Sequence, residues 1–195
     1  MSKVTVAENF PSTDEIKNEI KRVNFNNRYV KTLTSTIGIL IVVAAVSVLV
    51  ATLVLPVLEI YGTSMTPTLS EGNIVVSVTK KNYSQGDIVS FYYNNRILVK
   101  RIIAGPLDEV SIDEDGNVFV NGEPLEEPYL TEKALGECDL EFPYTVPEAS
   151  YFVMGDHRET SIDSRSSAVG CISSDEIVGK IFFRVWPLKG FGVIK

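Results

Sequence analysis

One histidine, His157, and two cysteines, Cys138 and Cys171, are the only imidazole and thiol groups in this 195-residue chain. Two thiols 33 residues apart and a lone imidazole make no metal site, since a bound zinc needs three or four such ligands brought together. No metal and no cofactor is expected. Positive charge is also short: 18 Lys and Arg stand against 25 Asp and Glu, a net charge of −7. An acidic balance gives no electrostatic case for nucleic acid as a partner. There are no repeats and no low-complexity tracts. Helical periodicity of useful length is missing after residue 58. Charge itself is missing between Leu33 and Leu58, and that gap organises the rest of the chain.

The uncharged run "LTSTIGILIVVAAVSVLVATLVLPVL" is 26 residues long. A bilayer core needs about 20 helical residues. Buried helices of soluble proteins rarely stay uncharged so long. A cleaved secretory signal has a shorter polar head and an apolar stretch of roughly 7–15 residues. The run predicts one membrane-spanning helix over 32–56, ending near Pro56. Lys17, Lys21, Arg22, Arg28 and Lys31 precede it, whereas Glu59 and Glu71 follow and the first lysine after it is Lys80. Positive flanks stay in the cytoplasm. Residues 1–31 are therefore expected inside, and 59–195, with 12 basic and 21 acidic residues, outside a cell membrane crossed once. In an oxidising compartment, a Cys138–Cys171 disulfide is possible.

Before the span, "STDEIKNEIKRVNF" offers Ser12 or Thr13 as a cap and Ile16, Ile20 and Val23 on one face, predicting a short amphipathic helix. After the span, "NIVVSV", "DIVSFYY", "RILVKRII", "VSI", "NVFVNG", "ASYFVMGD" and "IVGKIFFRVWP" are β-branched and aromatic. The turn signals "SQGD", "YNNR", "DEDGN" and "NGEP" divide them. The fold class is mostly β, with an antiparallel core over 57–105 and 147–195. Between Pro106 and Pro147 lie 12 acidic residues and one lysine, which read as a β-rich insert over 106–146.

Two residue types can carry chemistry. Ser64 sits in "YGTSMTPTLSEG", a tight turn with Gly62 two residues ahead and Pro67 behind. A serine hydroxyl needs a base to attack near neutral pH. His157 is one candidate. The other is Lys100 in "RILVKRII": either it and Arg101 are surface charges on an edge strand, or apolar neighbours bury the lysine and favour a neutral amine. Strand alternation points Lys100 and Arg101 to opposite faces, so one can be solvated while the other is buried.

In order and spacing, "GTSMTPTLSEG", "GDIVSF", "VKRI" and "MGDHRETSIDSR" resemble the blocks of bacterial type I signal peptidases, membrane-anchored serine proteases with a serine–lysine dyad. The resemblance runs from Val57 to about Pro187. It implies Ser64 as nucleophile and Lys100 as general base, with Ser161 bonding and orienting the lysine. It also implies an Asp163–Arg165 salt bridge supporting that loop, Gly155 keeping the approach to the lysine open, and Asp156 helping to build the same region. The partners implied are precursor proteins bearing signal peptides, processed at the outer face of the lipid bilayer, and the fold implied is an antiparallel β core with a variable insert.

Three positions depart from the family pattern. His157 stands where asparagine is common. "AGPLDEV" stands where Pro-Gly-Asp usually follows "KRI". Gly62 occupies a place where some members put a serine hydroxyl in the oxyanion hole. Relatives with a serine–histidine pair carry histidine in place of the lysine of "VKR", and here lysine is present. For substrate, Leu58, Ile60 and Tyr61 on one side and Leu98 and Val99 on the other are expected to form two strand edges. Ile60, Met65, Leu69 and Val99 are expected to wall shallow pockets for small residues one and three places before the cut. A specialised peptidase for pilin or another surface protein, and a membrane-tethered β binding domain without catalysis, remain the competing readings.

Overall fold

The structure is a computed structural model that describes residues 12–194 and, over 51–54, the backbone alone. The chain divides into two compact units, Met1–Ala51 and Thr52–Lys195.

The first unit is built on helix α1, Thr13–Val54, 42 residues long. Its start is a capping box: Ser12 Oγ accepts from the Glu15 N–H at 3.3 Å, and the Ser12 N–H donates to Glu15 Oε2 at 2.8 Å. The polar segment and the uncharged run form one unbroken helix, where the sequence suggested two. Nothing interrupts it because no proline occurs between Thr13 and Pro56. It stops at Val54, since Leu55 precedes a proline and is pushed out of the helical region. Hydroxyls inside it bond back to the helix: Thr32, Thr34, Thr36 and Ser47 donate to the carbonyls of Arg28, Val30, Thr32 and Val43 at 2.8–2.9 Å. No polar group of these side chains is then left bare in an apolar medium. The helix is long and apolar enough to cross a membrane.

The second unit is antiparallel β. Strands β1 (Val57–Glu59), β2 (Ile74–Val78), β3 (Ile88–Tyr93), β4 (Arg96–Ala104), β9 (Ser150–Met154), β10 (Ile172–Ser173), β11 (Ile177–Trp186) and β12 (Gly192–Val193) make one sheet. Its order is β1-β2-β11-β3-β4-β9-β10, with β12 on β11. The insert supplies β5 (Glu109–Ile112), β6 (Val118–Val120), β7 (Glu123–Pro124) and β8 (Tyr144–Thr145) as a second sheet, ordered β7-β6-β5-β8. Asparagines turn the hairpins. Asn94 and Asn95, at φ 46° and 61°, join β3 to β4 in the left-handed conformation that a two-residue turn requires.

Three core clusters hold the sheets. Ile102, Val153 and Phe91 belong to one on one face of β4; Ile103, Phe152 and Met154 belong to another, shared with the insert. A third contains Ile60, Met65, Leu69, Val75, Ile88 and Ile181. Two of the open backbone edges belong to β1 and to the first half of β4. β1 has a partner only in β2, and β4 meets β9 only from Arg101 onward, which leaves Arg96–Lys100 paired on one side.

Candidate active site

The segment from Gly62 to Gly72 is a loop tied at its base, where the Ile60 N–H donates to the Asn73 carbonyl at 2.8 Å and the Gly72 N–H to the Ile60 carbonyl at 2.9 Å. Met65 and Leu69 anchor it in the third core cluster, at 2 % and 0 % exposure, and each such burial contributes about 1.5–3 kcal/mol. With its apolar neighbours sunk in the core, Ser64 is held half-buried at the cleft. Its carbonyl accepts from the His157 N–H at 3.0 Å. Gly62, at φ 81°, takes a conformation that a side chain there would resist.

Lys100 lies on β4 opposite Val89, 4 % exposed. Its Nζ donates to Ser161 Oγ at 3.0 Å. Burial pulls the ammonium down to a pKa of about 8, against the counter-pull of Asp163 and Asp156, while the Arg165 cation adds to the lowering. Neither Lys100 nor Arg101 is solvated, although alternation across β4 allowed one of them to be. Both are buried, because the first core cluster covers one face of β4 and the insert covers the other. Arg101 bears this by bonding Asp156 in two places, Nε to Oδ1 at 2.9 Å and Nη2 to Oδ2 at 2.7 Å, and by stacking 3.8 Å from the centre of the Tyr129 ring. Asp156 also accepts from the Thr68 hydroxyl, joining this pair to the Ser64 loop.

Asp163 and Arg165 form a fully buried ion pair at 2.8 Å. Arg165 spends its whole guanidinium here, bonding Asp163, the carbonyls of Arg158 and Ser161, and the carbonyls of Ala134 and Leu135 in the insert. Burial alone would raise the Asp163 carboxyl. The Arg165 bonds and charge, with the Gly155 N–H at 2.9 Å and the Ser161 hydroxyl, hold it below the usual carboxylate range. Gly155 is packed between the two halves of the site: a Cβ there would lie 2.2 Å from Ser161 Oγ and 2.5 Å from the Ser64 carbonyl.

Ser64 and Lys100 line one cleft of about 660 Å3, together with Leu58, Ile60, Tyr61, Met65, Leu98 and Val99. Leu69 is not among its lining residues; it packs beneath the loop, in the core. Val57, Glu59, Gly62, Arg96 and Ile97 line the cleft as well, as continuations of the two open edges. The His157 ring bonds Thr160, with 2.9 Å between Nδ1 and Oγ1. Cys138 and Cys171 are free thiols. Among the described residues no group of three or more His, Cys, Asp and Glu is arranged to hold a metal.

Four contributors went unnoticed in the sequence. Arg158 and Glu127 form a buried pair, and Arg158 Nε donates to the Gly155 carbonyl at 3.1 Å; Tyr129 stacks on Arg101, and Thr68 bonds Asp156. Glu127 is 31 residues from Arg158, and no spacing rule joins them. The only sequence signal was an insert whose carboxylates far outnumber its one lysine.

The profile of the family described as signal peptidase, peptidase S26, matches residues 30–186. Signal peptidase I of Bacillus caldolyticus is 40 % identical over 162 aligned positions, covering 73 % of this chain and 87 % of that protein. Signal peptidase IB of Staphylococcus aureus strain COL is 37 % identical over 152, covering 68 % and 78 %. A crystal structure of a signal peptidase I from Enterococcus faecalis overlays with a TM-score of 0.43 at 28 % identity, over 52 % of this chain and 98 % of that one. A cleft that gathers a serine and a buried lysine, in a chain matched over most of its length, thus belongs to the S26 family: the protein is a serine protease of the signal peptidase I type.

Proposed function

We propose that the protein cleaves signal peptides from secretory precursors at the outer face of the cytoplasmic membrane, with Ser64 as nucleophile and Lys100 as general base. The observation that carries the reading is Lys100 itself: buried, lowered to a pKa of about 8, bonded to Ser161, and on the same cleft as Ser64. Neutral Nζ takes the Ser64 proton as Oγ attacks the scissile carbonyl carbon. The oxyanion is met by backbone N–H groups, chiefly that of Ser64, because Gly62 offers no hydroxyl. The intermediate collapses, the C–N bond breaks, and the ammonium of Lys100 returns the proton to the departing amine. Water then gives a proton to Lys100 as its oxygen attacks the ester carbon; the C–O bond to Ser64 breaks, Lys100 returns that proton to Ser64 Oγ, and the signal peptide leaves as an acid that ionises to a carboxylate. This is a serine–lysine form of the triad logic. Ser161 orients the lysine, and Asp163 and Arg165 fix the loop that carries Ser161. Asp156 bridges Arg101 to the Ser64 loop.

The substrate lies extended between the open edges of β1 and β4, adding main-chain bonds to each. Ile60, Met65 and Val99 give shallow apolar pockets, where an unpaired charge costs several kcal/mol and alanine fits. The basic residues before the apolar stretch of α1 keep its N-terminus in the cytoplasm. Incubating the full chain in detergent with a general secretory precursor tests the reading. Processing at the signal junction by wild type and Thr63→Ala, and none by Ser64→Ala, is expected. Cleavage by Ser64→Ala refutes it, and failure on every general precursor turns the reading toward a specialised substrate.

A further inference from the structure

A second cleft, of about 310 Å3, opens beside the same loop. The two clefts share no lining residue. The first takes Ser64 and Met65 from the loop; the second takes Thr66 and Pro67, and adds His157, Glu159 and Glu132. The wall of the second cleft is bonded directly to Ser64, through the His157 N–H on the Ser64 carbonyl at 3.0 Å. For a chain whose scissile bond sits at Ser64, with its signal-peptide side along the first cleft, the second cleft is the neighbouring one across the same turn. Three or four extended residues past the bond span roughly 10–14 Å.

We propose that this cleft receives the first residues of the mature protein, and that Glu132 and Glu159 make it favour basic side chains and disfavour acidic ones. The proposal rests on the reading of Ser64 as nucleophile. The charges of the cleft support it. Asp156 lines it but is neutralised by Arg101 at 2.7 Å, and Arg158 is neutralised by Glu127, both pairs buried. Lys133, beside Glu132, is turned to Asn117 Oδ1 at 3.0 Å. The His157 ring is engaged with Thr160. Glu132 and Glu159 are left, both exposed, and among the described residues their side chains have no ion pair and no hydrogen bond. The insert, with one lysine against 12 carboxylates over 106–147, adds a field of the same sign.

Exposed charge pairs change an equilibrium by up to about fivefold each, so lysine and glutamate at the best-placed position should differ by about tenfold. The experiment uses the full chain in detergent and precursors with fixed alanines before the cut. Residues one to four after the cut are changed singly to Lys, Gln or Glu, and kcat/KM is measured at about 0.05 M and about 1 M salt, where screening lengths differ several-fold. The expected order is Lys, Gln, Glu at one or more positions. The Lys-to-Glu ratio is expected to shrink toward one in 1 M salt, to fall in Glu132→Gln and Glu159→Gln, and to approach one in the double variant. Equal rates for all three precursors, or a ratio that survives the double substitution, overturn the subsite. Failure of the underlying reading looks different: Ser64→Ala then cleaves the glutamine precursor at the wild-type rate.

Discussion

Replacing Gly155 with alanine strikes the point where the two halves of the site touch. The new Cβ would lie 2.5 Å from the Ser64 carbonyl and 2.2 Å from Ser161 Oγ, where ordinary contact begins at 3.4 Å. The shortfalls are 0.9 Å (3.4 less 2.5) and 1.2 Å (3.4 less 2.2). Ser161 Oγ can yield only by leaving Lys100 Nζ, now at 3.0 Å. The Ser64 carbonyl can yield only by leaving the His157 N–H. Either movement displaces the proposed nucleophile, or the residue proposed to orient its base, by about 1 Å, and misplacement on that scale can cost about 100-fold in rate. Overpacking adds about 1–3 kcal/mol of destabilisation, which leaves the domain folded. The assay is kcat/KM on a precursor at pH 8, with thermal unfolding measured beside it. Gly105→Ala serves as control, since its Cβ would meet only Asp108 Oδ2, at 3.5 Å. A fall of about 100-fold in Gly155→Ala with the control near wild type is expected. Gly155→Ala within about threefold of wild type would refute the packing argument.

Ser64→Ala and Lys100→Ala should each bring cleavage near background, and the double variant should be no worse than either, because groups that act as a unit are not additive; additive losses contradict the dyad. Asp156→Ala strands the buried Arg101 cation, a change that costs about 3–5 kcal/mol, read as a fall in denaturant midpoint; a loss under about 1 kcal/mol contradicts the ion-pair account. The depressed Asp163 carboxyl contributes stability above its unfolded value of 3.8, and that contribution is lost as pH falls through its lower folded value, so Asp163→Asn should flatten acid unfolding over that window; unchanged acid unfolding contradicts it. Precursors with alanine one and three residues before the cut should be processed fastest; equal rates with leucine or lysine directly before the cut would remove the shallow-pocket argument.

Strands were the most legible part of the chain. β2, β3, β4, β9 and β11 fall within a residue or two of the β-branched runs, because period-two burial and asparagine or glycine turns are local signals. Helix α1 was half legible. The apolar run was plain, but nothing local said that the polar segment before it continues the same helix. At the site, the segments holding Ser64 and Lys100 do meet on one cleft. What hid was long-range. The double burial of Lys100 and Arg101 depends on the insert closing over the second face of β4. Leu69 follows the strand-like logic of a wall only until the loop folds and turns it into the core. The Glu127–Arg158 and Tyr129–Arg101 contacts join the insert to the loop after β9 and to β4, across separations of about 30 residues, where only tertiary structure can pair them.

The pH dependence of precursor cleavage bears most directly on the central claim, that neutral Lys100 activates Ser64. With a pKa of about 8, roughly one lysine in eleven is neutral at pH 7, against about one in three thousand at the ordinary 10.5. The same shift has a sign for stability. The protonated lysine is disfavoured in the fold, so its cost is full below about pH 8 and is relieved as pH rises from 8 to 10.5. The account predicts that kcat/KM climbs about tenfold per unit below pH 8 and levels above it. It also predicts that His157→Asn leaves this limb in place. A limb that breaks near 6.5, the ordinary histidine value, and vanishes in His157→Asn would move the base to His157 and contradict the account.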